Sequence, residues 1–196
     1  MELVHLPIDI VAYTGGSCGE MVTAVIDPTG YHFNGRYLEL LKYDRSKLKN
    51  REWDFSLSNI DRDNAINELA LKYRSLPSHK LDYHAFRKHD VIFIDATQPG
   101  MEEWVFNRIN DIHSGKHKQW LNLEKDKESY INNFYPSQQF LLPIAKRIIK
   151  LRDILEGKLI DVLKTYVATP LNEALYYTWL DQTLKHYPLK LSVRKV

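Results

Sequence analysis

Residues 8–25, IDIVAYTGGSCGEMVTAV, constrain this chain more than any other stretch. An apolar run, Ile8 to Tyr13, breaks into Gly15-Gly16-Ser17-Cys18-Gly19. A helix-compatible segment, Glu20 to Val25, follows at once. Continuous apolar character predicts a strand over about 8–14 buried on both faces, as in the parallel sheet of an α/β protein. A strand that turns through glycines into a helix brings backbone N–H groups together at the positive end of the helix dipole. That arrangement suits a phosphate or sulfate group. The same glycines equally suit a tight strand-to-helix turn that allows close packing, and both readings stay open on the sequence.

The rest of the chain repeats the strand–helix alternation. Helical character is expected from Gly19 to about Ile26, with a turn at Asp27-Pro28-Thr29-Gly30. Residues 31–58 keep no period. A helical stripe runs over 59–74 through Ile60, Ala65, Ile66, Leu69, Ala70 and Tyr73. A short strand is expected at Leu81–His84 and a strong one at Val91–Ile94, ending at Asp95. Thr97-Gln98-Pro99-Gly100 is a loop, and a helix with Met101, Trp104, Val105, Ile109 and Ile112 on one side ends at Ser114-Gly115. Residues 115–135 form a polar excursion or lid, and Pro136 can open a helix. A further strand is expected at Arg147–Leu151, then a helix from Leu159 to Tyr166 after Gly157, and a last helix opened by Thr169-Pro170. This predicts one α/β domain over 1–187, a mostly parallel central sheet with flanking helices, and a basic tail at 188–196.

Bulk properties narrow the function classes. The 196 residues carry a formal net charge of only +2, so no strong bulk attraction to nucleic acid or to an anionic membrane follows. Cys18 is the single cysteine, which leaves no intramolecular disulfide and no cysteine zinc cluster, and makes a reducing cytoplasm the expected setting. No run of about 18 apolar residues is present, so no membrane span is expected. His113 and His117 share a metal-like spacing, but Gly115 stands between them and no HExxH surrounds them. No metal site is assigned there.

Ligands of parallel sheets sit at the carboxyl ends of strands. Three polar features fall at such ends here: the 15–19 loop, Tyr83-His84 and Asp95-Ala96-Thr97. Group transfer needs the donor oxygens held, an acceptor hydroxyl deprotonated and developing charge offset. The amides of Gly15, Gly16, Ser17, Cys18 and Gly19, with the Ser17 hydroxyl, are candidates for the first task. His84 is the candidate base, with a partly exposed histidine at a strand end as the alternative. Asp95 suits a metal held through water, or equally a turn. Arg108 and Arg36 are candidates for charge neutralisation, although surface solvation is the simpler expectation for each. Cys18, beside a helix N-terminus, stands where a thiol pKa can fall. Trp104, Trp120 and Trp179 read as core or interface aromatics.

The order of these pieces resembles the sulfotransferase-like branch of the P-loop proteins. Ile8–Gly19 is similar to its opening strand and phosphate loop. Tyr83-His84 before Val91–Asp95 is similar to its strand-end histidine. Ile148–Leu155, followed by Gly157–Tyr166 and a terminal helix, is similar to its closing segment. The resemblance implies a three-layer P-loop sandwich, a nucleotide donor (ATP or a sulfated adenosine nucleotide) with Mg2+ as an option, His84 as base, and transfer of a phosphoryl or sulfuryl group to a hydroxyl. A glycine loop of this kind also resembles those of phage-encoded proteins, DNA-modification kinases among them. The chain departs from the family in two places. No Lys lies in 14–20, and the Ala96–Gly100 loop holds no Arg. A non-catalytic binding or assembly protein on the same scaffold is the alternative expectation.

Overall fold

The computed structural model describes residues 8–13, 17–27, 67, 70, 71, 73–78, 90–114 and 142–189. Within them four strands form one all-parallel sheet: β1 (Asp9–Ala12), β2 (Ser75–Ser78), β3 (Asp90–Asp95) and β4 (Arg147–Lys150), in the spatial order β2-β1-β3-β4. Ile10 stands between Leu76 and Val91, and Val11 between Pro77 and Ile92. The helices are α1 (Gly19–Ile26), α2 (Met101–Ser114), α3 (Leu151–Leu155), α4 (Leu159–Lys164) and α5 (Glu173–His186). A single 3-10 turn at Leu142–Ile144 precedes β4.

Alternation along the strands divides the core in two. Val11, Ile92, Ile94 and Ile149 face a layer built from Met21 and Val25 of α1, Trp104 and Val105 of α2, and residues of α3, α4 and α5. Ile10, Ala12, Leu76, Val91 and Phe93 face the other way, where Tyr73, Leu142 and Ile144 pack against them. Burial of both faces is why β1 and β3 read as unbroken apolar runs.

The expected α/β class and parallel sheet are therefore found, and the strands at 8–14 and 91–95 and the helices after Gly19 and Gly100 fall where expected. Other elements differ. The chain forms a strand at Ser75–Ser78, SLPS, that the sequence pattern did not show. Pro77 lacks the N–H that a central strand needs, which suits β2 to its place at the edge of the described sheet. The strand at 147 ends at Lys150, and Leu151 already opens α3. The last helix begins at Glu173 rather than at Pro170, because the Asn172 side chain accepts from the Leu175 N–H at 3.1 Å and caps it. The helix expected over 59–74 lies mostly outside the described residues; Asn67 and Ala70 are helical, and Leu71 is in a turn. The strand expected at 81–84, the lid at 115–135, the helix at Pro136 and residues 190–196 of the tail lie outside them too.

Two local devices fix the C-terminal helices. Gly157, with φ +86, reverses the chain after α3, and the Lys158 N–H donates back to the Asp153 carbonyl at 2.9 Å. The Tyr176 hydroxyl then donates to the Ile154 carbonyl at 2.6 Å and accepts from the Leu159 N–H at 3.4 Å, which closes the corner between α3 and α4. The Asn172 N–H donates to the Val25 carbonyl at 2.9 Å, so the start of α5 is tied to the end of α1.

Candidate functional site

After β1 the chain leaves toward β2 on one side of the sheet, and after β3 it leaves toward β4 on the other. The carboxyl ends of β1 and β3 therefore flank a topological switch point, the place where open α/β sheets bind ligands. The connections that leave these neighbouring strand ends are the one into α1, described from Ser17 onward, and the segment Asp95–Gly100.

The turn into α1 is packed closely. Ser17, Cys18 and Gly19 are all buried. Gly19 is the first residue of α1, and the Tyr13 ring lies directly over it. A β-carbon at position 19 would stand 1.9 Å from the ring's Cδ1 and 2.0 Å from its Cγ. Close packing is thus the physical reason for glycine at this position. Cys18 is the helix N-cap, with φ 71 and ψ 13. Among the described residues it is the one non-glycine residue in the left-handed region. Its carbonyl accepts the first helical bond, from the Val22 N–H at 3.1 Å.

Arg108 is not at the surface. It is buried on α2, and its Nη1 lies 2.8 Å from the Cys18 sulfur. Its guanidinium carbon stands 5.6 Å from the Trp104 ring and 5.5 Å from the Trp179 ring. Trp104 is itself held by its indole N–H, which donates to the Tyr187 carbonyl at 3.0 Å. Surface solvation, the simpler expectation for Arg108, is overturned: it lies one helical turn beyond Trp104 and shares that buried stripe. The Cys18 thiol also departs from expectation. Burial pushes it up to about 11, outweighing the opposing pull of the Arg108 charge and hydrogen bond.

Asp95 ends β3 and is buried. Its Oδ1 accepts from the Thr97 N–H at 2.8 Å and the Thr97 hydroxyl at 2.7 Å, so the carboxylate builds the turn that leaves the strand. Beyond it, sequence reasoning missed Arg152. The loop 96–100 carries no arginine of its own, yet the Arg152 Nη2 reaches in from α3 and donates to the Pro99 carbonyl at 2.8 Å. The Arg152 backbone N–H lies 3.4 Å from Gln98 Oε1. Two donors there, Gln98 Nε2 and Arg152 Nε, are buried and have no hydrogen-bond partner among the described residues. The available signal was the position of Arg152 immediately after a strand end.

The structure therefore brings Ser17, Cys18, Gly19 and Arg108 together, and places Asp95 at the end of the neighbouring strand. Gly15, Gly16, Arg36, His84 and Trp120 lie outside the described residues. No described helix is long and apolar enough to cross a membrane. Comparison with protein-family models, with curated proteins and with solved structures finds no match.

Proposed function

We propose that this protein binds a phosphate- or sulfate-bearing nucleotide over the carboxyl ends of β1 and β3 and transfers the phosphoryl or sulfuryl group to a hydroxyl acceptor, as a P-loop-like transferase of the sulfotransferase-like kind. The observation that carries this reading is that the connection into α1 and the Asp95 turn leave neighbouring strands, β1 and β3, at a switch point of an all-parallel sheet. Gln98 Nε2 and Arg152 Nε, two buried donors without an acceptor among the described residues, lie at the carboxyl ends of β3 and β4 and favour an oxygen-rich ligand. In this reading the amides of residues 15–19 hold the donor oxygens, and His84 takes the acceptor's proton. The carboxylate of Asp95 beside the Thr97 hydroxyl has the hard-oxygen chemistry that Mg2+ accepts, and Mg2+ there would offset charge on the phosphates.

A non-catalytic binding or assembly protein is the second reading. It is favoured by the Tyr13 ring over Gly19, which gives that glycine a packing role. A thermal-shift panel with ATP, GTP, adenosine 3′,5′-bisphosphate and sulfate, with and without Mg2+, separates the two. A ligand at about 100 times its Kd stabilises the fold by about 2.7 kcal/mol. A shift that Gly16→Val removes supports the loop site. Absence of any shift rejects it. With an acceptor in hand, His84→Ala is expected to abolish turnover while nucleotide binding survives.

A further inference from the structure

The 96–100 loop carries no arginine, yet the fold delivers one to it from α3. We propose that Gln98 and Arg152 form an oxyanion subsite at the carboxyl ends of β3 and β4, where two N–H groups and one permanent charge take up an oxygen of a phosphate, sulfate or carboxylate group. This rests on the reading above in expecting an oxygen-rich ligand at this end of the sheet, and it names the residues that hold one of its charged groups.

The loop is anchored without a ligand. Asp95 Oδ1 accepts from the Thr97 N–H and hydroxyl, the Met101 N–H donates to the Gln98 carbonyl at 3.0 Å, and Arg152 Nη2 donates to the Pro99 carbonyl at 2.8 Å. Gln98 Oε1 faces the Arg152 backbone N–H at 3.4 Å. Exchanging the oxygen and nitrogen of that amide would set donor against donor, so Nε2 is the end left over. Gln98 Nε2 and Arg152 Nε are buried and have no hydrogen-bond partner among the described residues, a costly state that an acceptor oxygen relieves. Arg152 makes no ion pair among those residues either: Glu156 feels its charge but pairs with Lys158 at 2.6 Å. A carbonyl acceptor would satisfy the N–H groups alone, whereas an oxyanion answers the charge as well. Pro99, Gly100 and Lys150, close to the pair in the chain, are exposed, and a β-carbon on Gly100 would meet nothing within 4 Å. Lys150 stands next to Asp95 in the strand register, which adds a cation where that carboxylate would otherwise oppose an anion.

The test titrates the isotopically labelled full chain with inorganic phosphate, sulfate and acetate, and follows the Gln98 side-chain amide and the Arg152 Nε–H by NMR. Saturable shifts of both resonances with at least one anion are expected. Gln98→Glu is the decisive variant. It keeps the oxygen that faces the Arg152 N–H and replaces the Nε2 donor by a second oxygen, an acceptor for Arg152 Nε from within the chain. It is expected to melt at or above the parent temperature and to weaken the anion by about tenfold or more. A purely structural role for Gln98 would leave the affinity unmoved. Arg152→Met is expected to lose the anion as well; if it does not fold, Gln98→Glu alone decides. Parent-like affinity in Gln98→Glu overturns the proposal, as does the absence of a saturable shift with all three anions. A response to phosphate or sulfate supports a subsite for the group named above. A response to acetate alone supports the subsite with a carboxylate as its ligand. The nucleotide reading fails separately. Anion binding here without any nucleotide binding defeats that reading and leaves the subsite standing, whereas nucleotide binding unchanged in Gln98→Glu overturns the subsite and leaves that reading standing.

Discussion

The aromatic ring of Tyr13 lies over the α-carbon of Gly19, six residues further on, leaving no room for a β-carbon between them. The obstructing atoms include the ring's Cγ, close to the Tyr13 backbone, so a side-chain rotation cannot clear them cheaply. Gly19→Ala is therefore expected to cost about 2–3 kcal/mol, as overpacking in a rigid core does. Urea denaturation of the two proteins checks this, and adding Tyr13→Ala to Gly19→Ala should recover part of the steric loss.

The Cys18 thiol ionises at 9.0 in its reference state and at about 11 in the fold. A group whose pKa is raised by folding gives a contribution that is complete below the unfolded value and is lost as pH rises through the folded one. Stability should therefore fall between about pH 9 and pH 11 by roughly 2–3 kcal/mol from this group. Cys18→Ser should flatten that part of the profile. Thermal melts across this range, parent against variant, measure the difference.

At the opposite edge of the sheet, Arg147 Nη1 lies 2.6 Å from Asp9 Oδ1, with Asp90 3.9 Å from Nη2. Burial raises the Asp9 pKa above 3.8 despite the opposing pull of the Arg147 charge. Removing the arginine alone leaves the carboxylate without this counter-charge. Arg147→Met is expected to cost about 2 kcal/mol at pH 7. Protonation relieves an unpaired carboxylate, so the gap from the parent should shrink as pH falls toward the Asp9 pKa. The double variant Asp9→Asn with Arg147→Met should lie closer to the parent than Arg147→Met does. Denaturation midpoints at neutral and acidic pH test both statements.

Asn172→Ala removes the side-chain acceptor for the Leu175 N–H at the start of α5. A loss of about 1 kcal/mol is expected, typical of an N-cap. Asn172→Asp should retain most of the stability, because its carboxylate accepts the same bond. Chemical denaturation distinguishes the two variants.

The α/β class was legible because its cues are local. Ile8–Tyr13 and Val91–Ile94 are apolar without a break, and Met101, Trp104, Val105 and Ile109 recur at helical spacing. β2 was not legible, because Ser75, Pro77 and Ser78 carry weak strand preference. Its place comes from pairing with β1, a contact across more than sixty residues of sequence. The site shows the same division. Asp95 could be placed at a strand end from sequence, with metal and turn roles both open, and its bonds to Thr97 supply the turn. The burial of Arg108 was within reach, since it shares the stripe of Trp104. Its partners were not, because Cys18 precedes it by 90 residues and Trp179 comes from another helix. Helix-end electrostatics alone gave the wrong direction for the Cys18 thiol; the cost of desolvation was visible only once the fold enclosed it.

Trp179 supplies one of the two rings beside Arg108, and Asn172 is the tether that brings its helix to α1. During synthesis, β1, α1 and α2 all leave the ribosome well before either residue does. The nascent turn at Cys18 must therefore wait, with its arginine only half enclosed, until Trp179 has emerged.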